Sequence, residues 1–101
     1  MNEKIIEFTR GPFPKKYKVT LKNKVTGKIR HLVFGDSRYA QYKDRTPLGL
    51  YTKKNHNDRK RMSRYYNRHS GTKTRKEGIM KEKRKAKGLY TPKLLSHIYL
   101  W

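Results

Sequence analysis

The stretch Lys16-Tyr17-Lys18-Val19-Thr20-Leu21-Lys22 decides the fold. Tyr17, Val19 and Leu21 alternate with Lys and Thr, and this period of two puts the apolar groups on one face of a β-strand. Residues 23–27 supply turn chemistry, ending on Gly27. Residues 28–34 (KIRHLVF) then read as the returning strand, closed by Gly35-Asp36. Two strands alone are marginal in water, so the apolar face of this hairpin needs a cover.

Before the hairpin, residues 1–15 read as an N-terminal arm with Ile5, Ile6 and Phe8 as anchors. Gly11-Pro12-Phe13-Pro14 is a rigid turn or extended spacer, because each proline blocks helix at its predecessor. After the hairpin, residues 36–51 (DSRYAQYKDRTPLGLY) are neither clearly helix nor strand. Either Asp36 caps a helical turn holding Tyr39 and Tyr42, or the segment is a loop packed by its own tyrosines. Pro47 and Gly49 force a turn near its end. Residues 16–51 are thus a hairpin with a Tyr-rich loop.

Residues 52–88 form a basic helical region. Asn55 or Asn57 can cap its first helix, with Asp58 adding negative charge to the first turn. Met62, Tyr65, Tyr66 and His69 fall on one stripe of that helix, which Ser70-Gly71-Thr72 ends. A weaker helix over 74–87 has only Ile79, Met80 and Ala86 to bury, and Gly88 is a natural stop. Residues 89–101 hold an apolar C-terminal helix. Thr91-Pro92 starts it, and Leu94, Leu95, Ile98 and Trp101 form its stripe, widened by Tyr99 and Leu100. That stripe either folds back over the hairpin or docks on another subunit as an adhesive plug. The expected class is α+β: a small hairpin, a Tyr-rich loop and two to three short helices, extended and ordered by a partner.

Charge narrows the function. Twenty-eight Lys and Arg against seven Asp and Glu leave +21 on 101 residues. Small domains ordinarily carry a net charge of about 2–8, so this chain repels itself until counter-charge is supplied. Mean hydropathy is −1.18 and 33% of residues are apolar, yet 12% are aromatic, too many for a plain disordered tail. Between residues 52 and 87 stand 15 Lys and Arg against three acids (Asp58, Glu77, Glu82), a local +12. The candidate polyanion ligands there are Lys53, Lys54, Arg59, Lys60, Arg61, Arg64, Arg68, Lys73, Arg75, Lys76, Lys83, Arg84, Lys85 and Lys87. Guanidinium forks suit phosphate pairs. Tyr65 and Tyr66, set among these arginines, are either core residues or rings that stack on bases. Phosphate contacts position without reading sequence, and no helix-turn-helix, RNA-recognition or GXXG pattern is present. Binding to nucleic acid would be sequence-tolerant and steeply salt-dependent.

Other chemistries fare poorly. With no cysteine there is no disulfide framework and no thiolate metal site. His31, His56, His69 and His97 lack metal-ligand spacing. Asp36 and Asp44 are the one candidate carboxylate pair, and both read as caps or local ion-pair partners. The chain reads as a non-enzyme with no cofactor, no metal site and no membrane span, made and used in the cytosol, the nucleus or a particle assembled there.

One longer pattern stands out. Phe34-Gly35-Asp36-Ser37-Arg38-Tyr39 is followed by Tyr42-Lys43-Asp44-Arg45-Thr46-Pro47-Leu48-Gly49-Leu50-Tyr51, then by Tyr66-Asn67-Arg68-His69, then by the Leu- and Trp-bearing tail over 94–101. In this order, covering residues 28–101, the motifs resemble a family of short basic proteins encoded by large DNA viruses of eukaryotes, such as those infecting algae and amoebae (phycodnavirus- and mimivirus-like). The resemblance implies a viral origin and a place in the virion, from which synthesis in the host cytoplasm or nucleus and a role as a minor capsid protein are expected. It brings no catalytic residues. Three functions follow as expectations. The first is a structural protein bridging capsid subunits, or shell and genome, with larger virion proteins as partners. The second is a non-specific DNA-binding protein that neutralises packaged genome. The third is a ribosome-type RNA-binding protein.

Overall fold

The computed structural model describes residues 1–101. Strand β2 (Lys15–Asn23) lies between β1 (Glu3–Arg10) and β3 (Ile29–Asp36) in an antiparallel sheet of order β1-β2-β3. Tyr17 stands opposite Phe34 and Val19 opposite Leu32, so the period-two stripe of β2 is continued on β3. Tyr17, Val19 and Leu21 are fully buried.

The edge strand β1 corrects the expectation of an arm. Its alternation is hidden by a bulge between Ile5 and Glu7. The extra residue lets Ile5 oppose Leu21 and Phe8 oppose Val19, so both pack on the core while Ile6 turns outward at 48% exposure. Read without the bulge, three apolar residues at 5, 6 and 8 show no consistent face.

Three helices follow, α1 (Arg59–Ser70), α2 (Arg75–Ala86) and α3 (Pro92–Tyr99); α3 covers the sheet, α2 packs on α3 and α1 on α2. Thr91 caps α3 by accepting from the Leu94 amide at 3.1 Å, with Pro92 at the first helical position. Leu95 and Leu100 join Tyr17, Val19, Leu21 and Phe34 in one cluster, and the Tyr99 ring meets Phe8 edge-on at 5.0 Å. Gly35, at φ 76°, ends β3 where a Cβ would stand 2.8 Å from Leu100 Cδ1. The C-terminal stripe therefore folds back on the hairpin. Leu94 and Leu95 expose nothing, which withdraws them as a plug for another subunit. Ile98 and Trp101 are half-buried.

The loop after β3 is organised around one carboxylate, with Tyr51 packed edge-on against Tyr17 at 5.4 Å and Tyr39 left exposed. Asp44 accepts from Tyr17 Oη, from the Thr46 amide (2.9 Å) and hydroxyl (2.6 Å), and from the Tyr51 amide at 3.2 Å. Burial would raise its pKa, but the bonds from Thr46 and Tyr17 hold it below the usual carboxylate range. Beside it, Lys16 is 2% exposed and donates to the Tyr39 carbonyl (2.9 Å) and to Gln41 Oε1 (2.5 Å). Burial, reinforced by the Lys54 charge, lowers the Lys16 pKa to about 8. Asp36 caps no helical turn. It accepts from the Arg38 amide (2.9 Å) and pairs with the Arg38 guanidinium at 2.7 Å.

Asp58, rather than Asn55 or Asn57, caps α1, accepting from the Lys60 and Arg61 amides at 2.9 and 3.3 Å. Asn57 precedes it at φ 52°, in the left-handed region that asparagine tolerates. Thr74 caps α2. The fully buried residues of α2 are Gly78 and Glu82; Ile79 and Ala86 are half-buried, and Met80 is 48% exposed. Gly78 lets α2 close on α1, because a Cβ there would run into Tyr66 Cδ1. The class is α+β as the pattern predicts, but the chain is not extended. Its Cα radius of gyration, 13.5 Å, is that of a compact body of about 100 residues.

Candidate polyanion interface

Thirteen of the 14 predicted polyanion ligands are exposed on or beside α1 and α2. Arg75 is the exception: it is half-buried and donates to the Ile98 carbonyl at 2.9 Å, so it ties α2 to the C-terminal turn. Lys81, in the same basic run, is likewise used internally, donating to the Ser70 carbonyl at 2.6 Å. Sequence spacing explains the separation of the rest. On α1, Lys60, Arg61, Arg64 and Arg68 recur at helical spacing on the side away from Tyr66 and Ser70. Lys76, Lys83, Arg84 and Lys85 extend the charge along α2.

Almost none of this charge is neutralised within the fold. Of the 28 Lys and Arg, only Arg30, Arg38 and Lys93 lie within 4.0 Å of a carboxylate. Most acids of the chain are engaged elsewhere. Glu3 takes a bidentate bond from Arg30 at 2.6 and 2.9 Å, and Asp58 caps α1. The cationic helices are thus a field without an internal counterpart, and they attract anions over about a Debye length.

What holds these helices in place is a buried polar chain. Ser70 donates to Glu82 at 3.2 Å. Its oxygen must then accept from His97 Nε2 (2.7 Å), which leaves His97 Nδ1 to accept from the Tyr65 hydroxyl at 2.9 Å. The Tyr66 hydroxyl donates to the His97 carbonyl at 2.8 Å. His97 is fully buried, and desolvation drives its pKa down to about 4. Both its nitrogens are committed in the neutral form. Tyr65 and Tyr66, 7% and 0% exposed, therefore serve the core and are not available to stack on bases.

A pocket of about 620 Å³ opens where α1 faces the end of β3 and the start of α3. Its α1 wall is Arg61, Tyr65, Arg68 and His69, one helical face. Lys15, Lys93 and Tyr39 also line it, and sequence reading singled out none of them for binding. The two lysines stand beside proline or at a strand start, where no pattern distinguishes them from solvated charge. Trp101 closes one side, stacked on Tyr65 with centroids 4.3 Å apart and planes 4° apart.

No family model, curated protein or solved structure matches this chain. No helix is long and apolar enough to cross a membrane.

Proposed function

We propose that this chain is a small basic structural protein of a viral particle, bridging shell and genome, whose α1–α2 surface lies against packaged nucleic acid. The observation that carries the reading is the set of 13 exposed cations on or beside two helices, none of them paired with a carboxylate of the fold. Ordered backbone under the charge favours a rigid phosphate-facing surface over a condensing tail. Such a surface binds through phosphates and tolerates any sequence. The place in a virion rests on the resemblance carried by residues 28–101.

A second reading, a bridge between capsid subunits, is favoured by the hairpin tips. Phe13 and Val25 are 84% and 85% exposed, at opposite ends of β2. Each offers a single apolar contact point, and placed at the two ends of β2 they would reach two different protein neighbours. Fractionating stripped particles separates the readings. The first expects the protein with the genome core, released by salt; recovery with the empty shell after nuclease digestion favours the second. Absence from purified particles contradicts both.

A further inference from the structure

We propose that the pocket between α1, the end of β3 and the start of α3 takes one nucleotide of a single-stranded nucleic acid, with its base on Tyr39 and its phosphate on Arg61 and Arg68. The proposal rests on the reading of the exposed cations as phosphate ligands and assigns one site among them a distinct ligand.

Three observations meet there. Arg61 and Arg68 line the pocket seven residues apart on one face of α1, both exposed and neither within 4.0 Å of a carboxylate. Lys15 adds a third unpaired cation from the start of β2. The pocket's one acid, Asp36, is already neutralised, since both its oxygens accept from the Arg38 guanidinium at 3.0 and 2.7 Å. An anion entering the pocket therefore meets unopposed positive charge.

The second observation is the aromatic ring. Tyr39 is 66% exposed, whereas Tyr65 and Tyr66 are buried in the core. Its backbone is nevertheless fixed, because its carbonyl accepts from buried Lys16 and its amide donates to the Asp36 carbonyl at 3.1 Å. The Arg38 guanidinium lies 5.9 Å from its ring centroid. An exposed ring on a pinned backbone offers a base a stacking face without any backbone ordering.

The third is size. About 620 Å³ falls within the range of small-ligand pockets, ample for a nucleotide and too small to enclose a duplex. A duplex must remain on the outer α1–α2 surface, where it can share Arg61 and Arg68 as phosphate ligands but makes no use of the Tyr39 ring. Bare phosphate would satisfy the cations and leave Tyr39 unused. The coincidence of ring and guanidinium specifies a base carried on a phosphodiester, the combination by which single strands are held without sequence preference.

The test compares a labelled 12-mer of deoxythymidine with an abasic 12-mer of equal charge, a poly-glutamate 12-mer and a duplex, by fluorescence anisotropy on the full chain. The deoxythymidine strand is expected to bind roughly 5- to 10-fold tighter than the abasic strand, the contribution of one stacked base. Tyr39→Ala should erase that preference and leave duplex affinity unchanged, and Tyr39→Phe should keep both. Because Tyr39 is exposed, a thermal melt of each variant should match the parent. Equal binding of the deoxythymidine and abasic strands overturns the pocket assignment while leaving phosphate binding intact. Poly-glutamate binding as tightly as deoxythymidine also overturns it, in favour of an acidic peptide. If no nucleic acid binds, the proposed function falls as well.

Discussion

The two halves of this molecule are held together by different physics. The sheet and α3 enclose an apolar cluster in which Tyr17, Val19, Leu21, Phe34, Leu95 and Leu100 are at most 1% exposed. The α1–α2 pair has no comparable cluster. Apart from Tyr65 and Tyr66, its buried residues are Ser70, Gly78 and Glu82, linked to α3 through His97. The difference follows from charge. Helices that must show so many cations have few positions left for apolar groups, so buried hydrogen bonds and one close approach at Gly78 replace a hydrophobic seam. Such bonds are directional and become costly when one partner changes protonation. The half that presents the charge is therefore the half that pH can loosen.

The comparison breaks most readily at Leu95. Leu95→Ala should cost about 3 kcal/mol, since it opens a cavity in the apolar half. Urea unfolding checks this, and a loss below about 1 kcal/mol would mean that the cluster is not the main source of stability. Acid acts next, on the other half. His97 is neutral when folded with a pKa near 4, against 6.5 unfolded, so its stabilising contribution is complete above pH 6.5 and disappears as pH falls toward 4. The full loss is about 3 kcal/mol. Proton NMR titration of the imidazole, alongside unfolding between pH 7 and 4, tests it. A His97 midpoint near 6.5 would mean that the buried chain of hydrogen bonds does not form.

Smaller still is Gly78→Ala. Helix propensity alone makes alanine favourable by about 1 kcal/mol. Here its Cβ meets the Tyr66 ring, and the expected result is a net destabilisation of about 1–2 kcal/mol with altered tyrosine near-UV dichroism. A stabilised variant would show that α1 and α2 are not in close contact. Lys60→Gln and Arg64→Gln should leave the melting temperature within about a degree or two, since both side chains are exposed and unpaired.

How much of this was legible depended on whether each feature obeyed a local period. The β2 stripe, the Thr91-Pro92 start and the Gly71 stop state their roles in neighbouring residues, and the structure has them as read. Strand β1 was hidden by a single bulged residue, which turns a period of two into noise. The role of Asp44 was hidden because its partners, Tyr17, Thr46 and Tyr51, come from two separate segments. Leu94 and Leu95 present the same stripe whether they cover a sheet of their own chain or a neighbour's, and only the finished fold decides. The cations themselves were plain. That Arg75 and Lys81 are spent inside while the others face solvent was not, because helical phase alone does not say which neighbour arrives. The sequence places Tyr39 only in a helical turn or a tyrosine-packed loop, since exposure on a pinned backbone has no sequence signature.

The most direct test of the cationic surface is the salt dependence of duplex DNA binding by the full chain. Contact with roughly five phosphates predicts a plot of log K against log salt with a slope of about −4 or steeper. Replacing Lys60, Arg64, Lys83 and Arg84 together by Gln should make that slope shallower by about 0.9 for each phosphate no longer neutralised, with the fold intact. A slope near zero, or one the four substitutions leave unchanged, would contradict a nucleic-acid-facing role for α1 and α2.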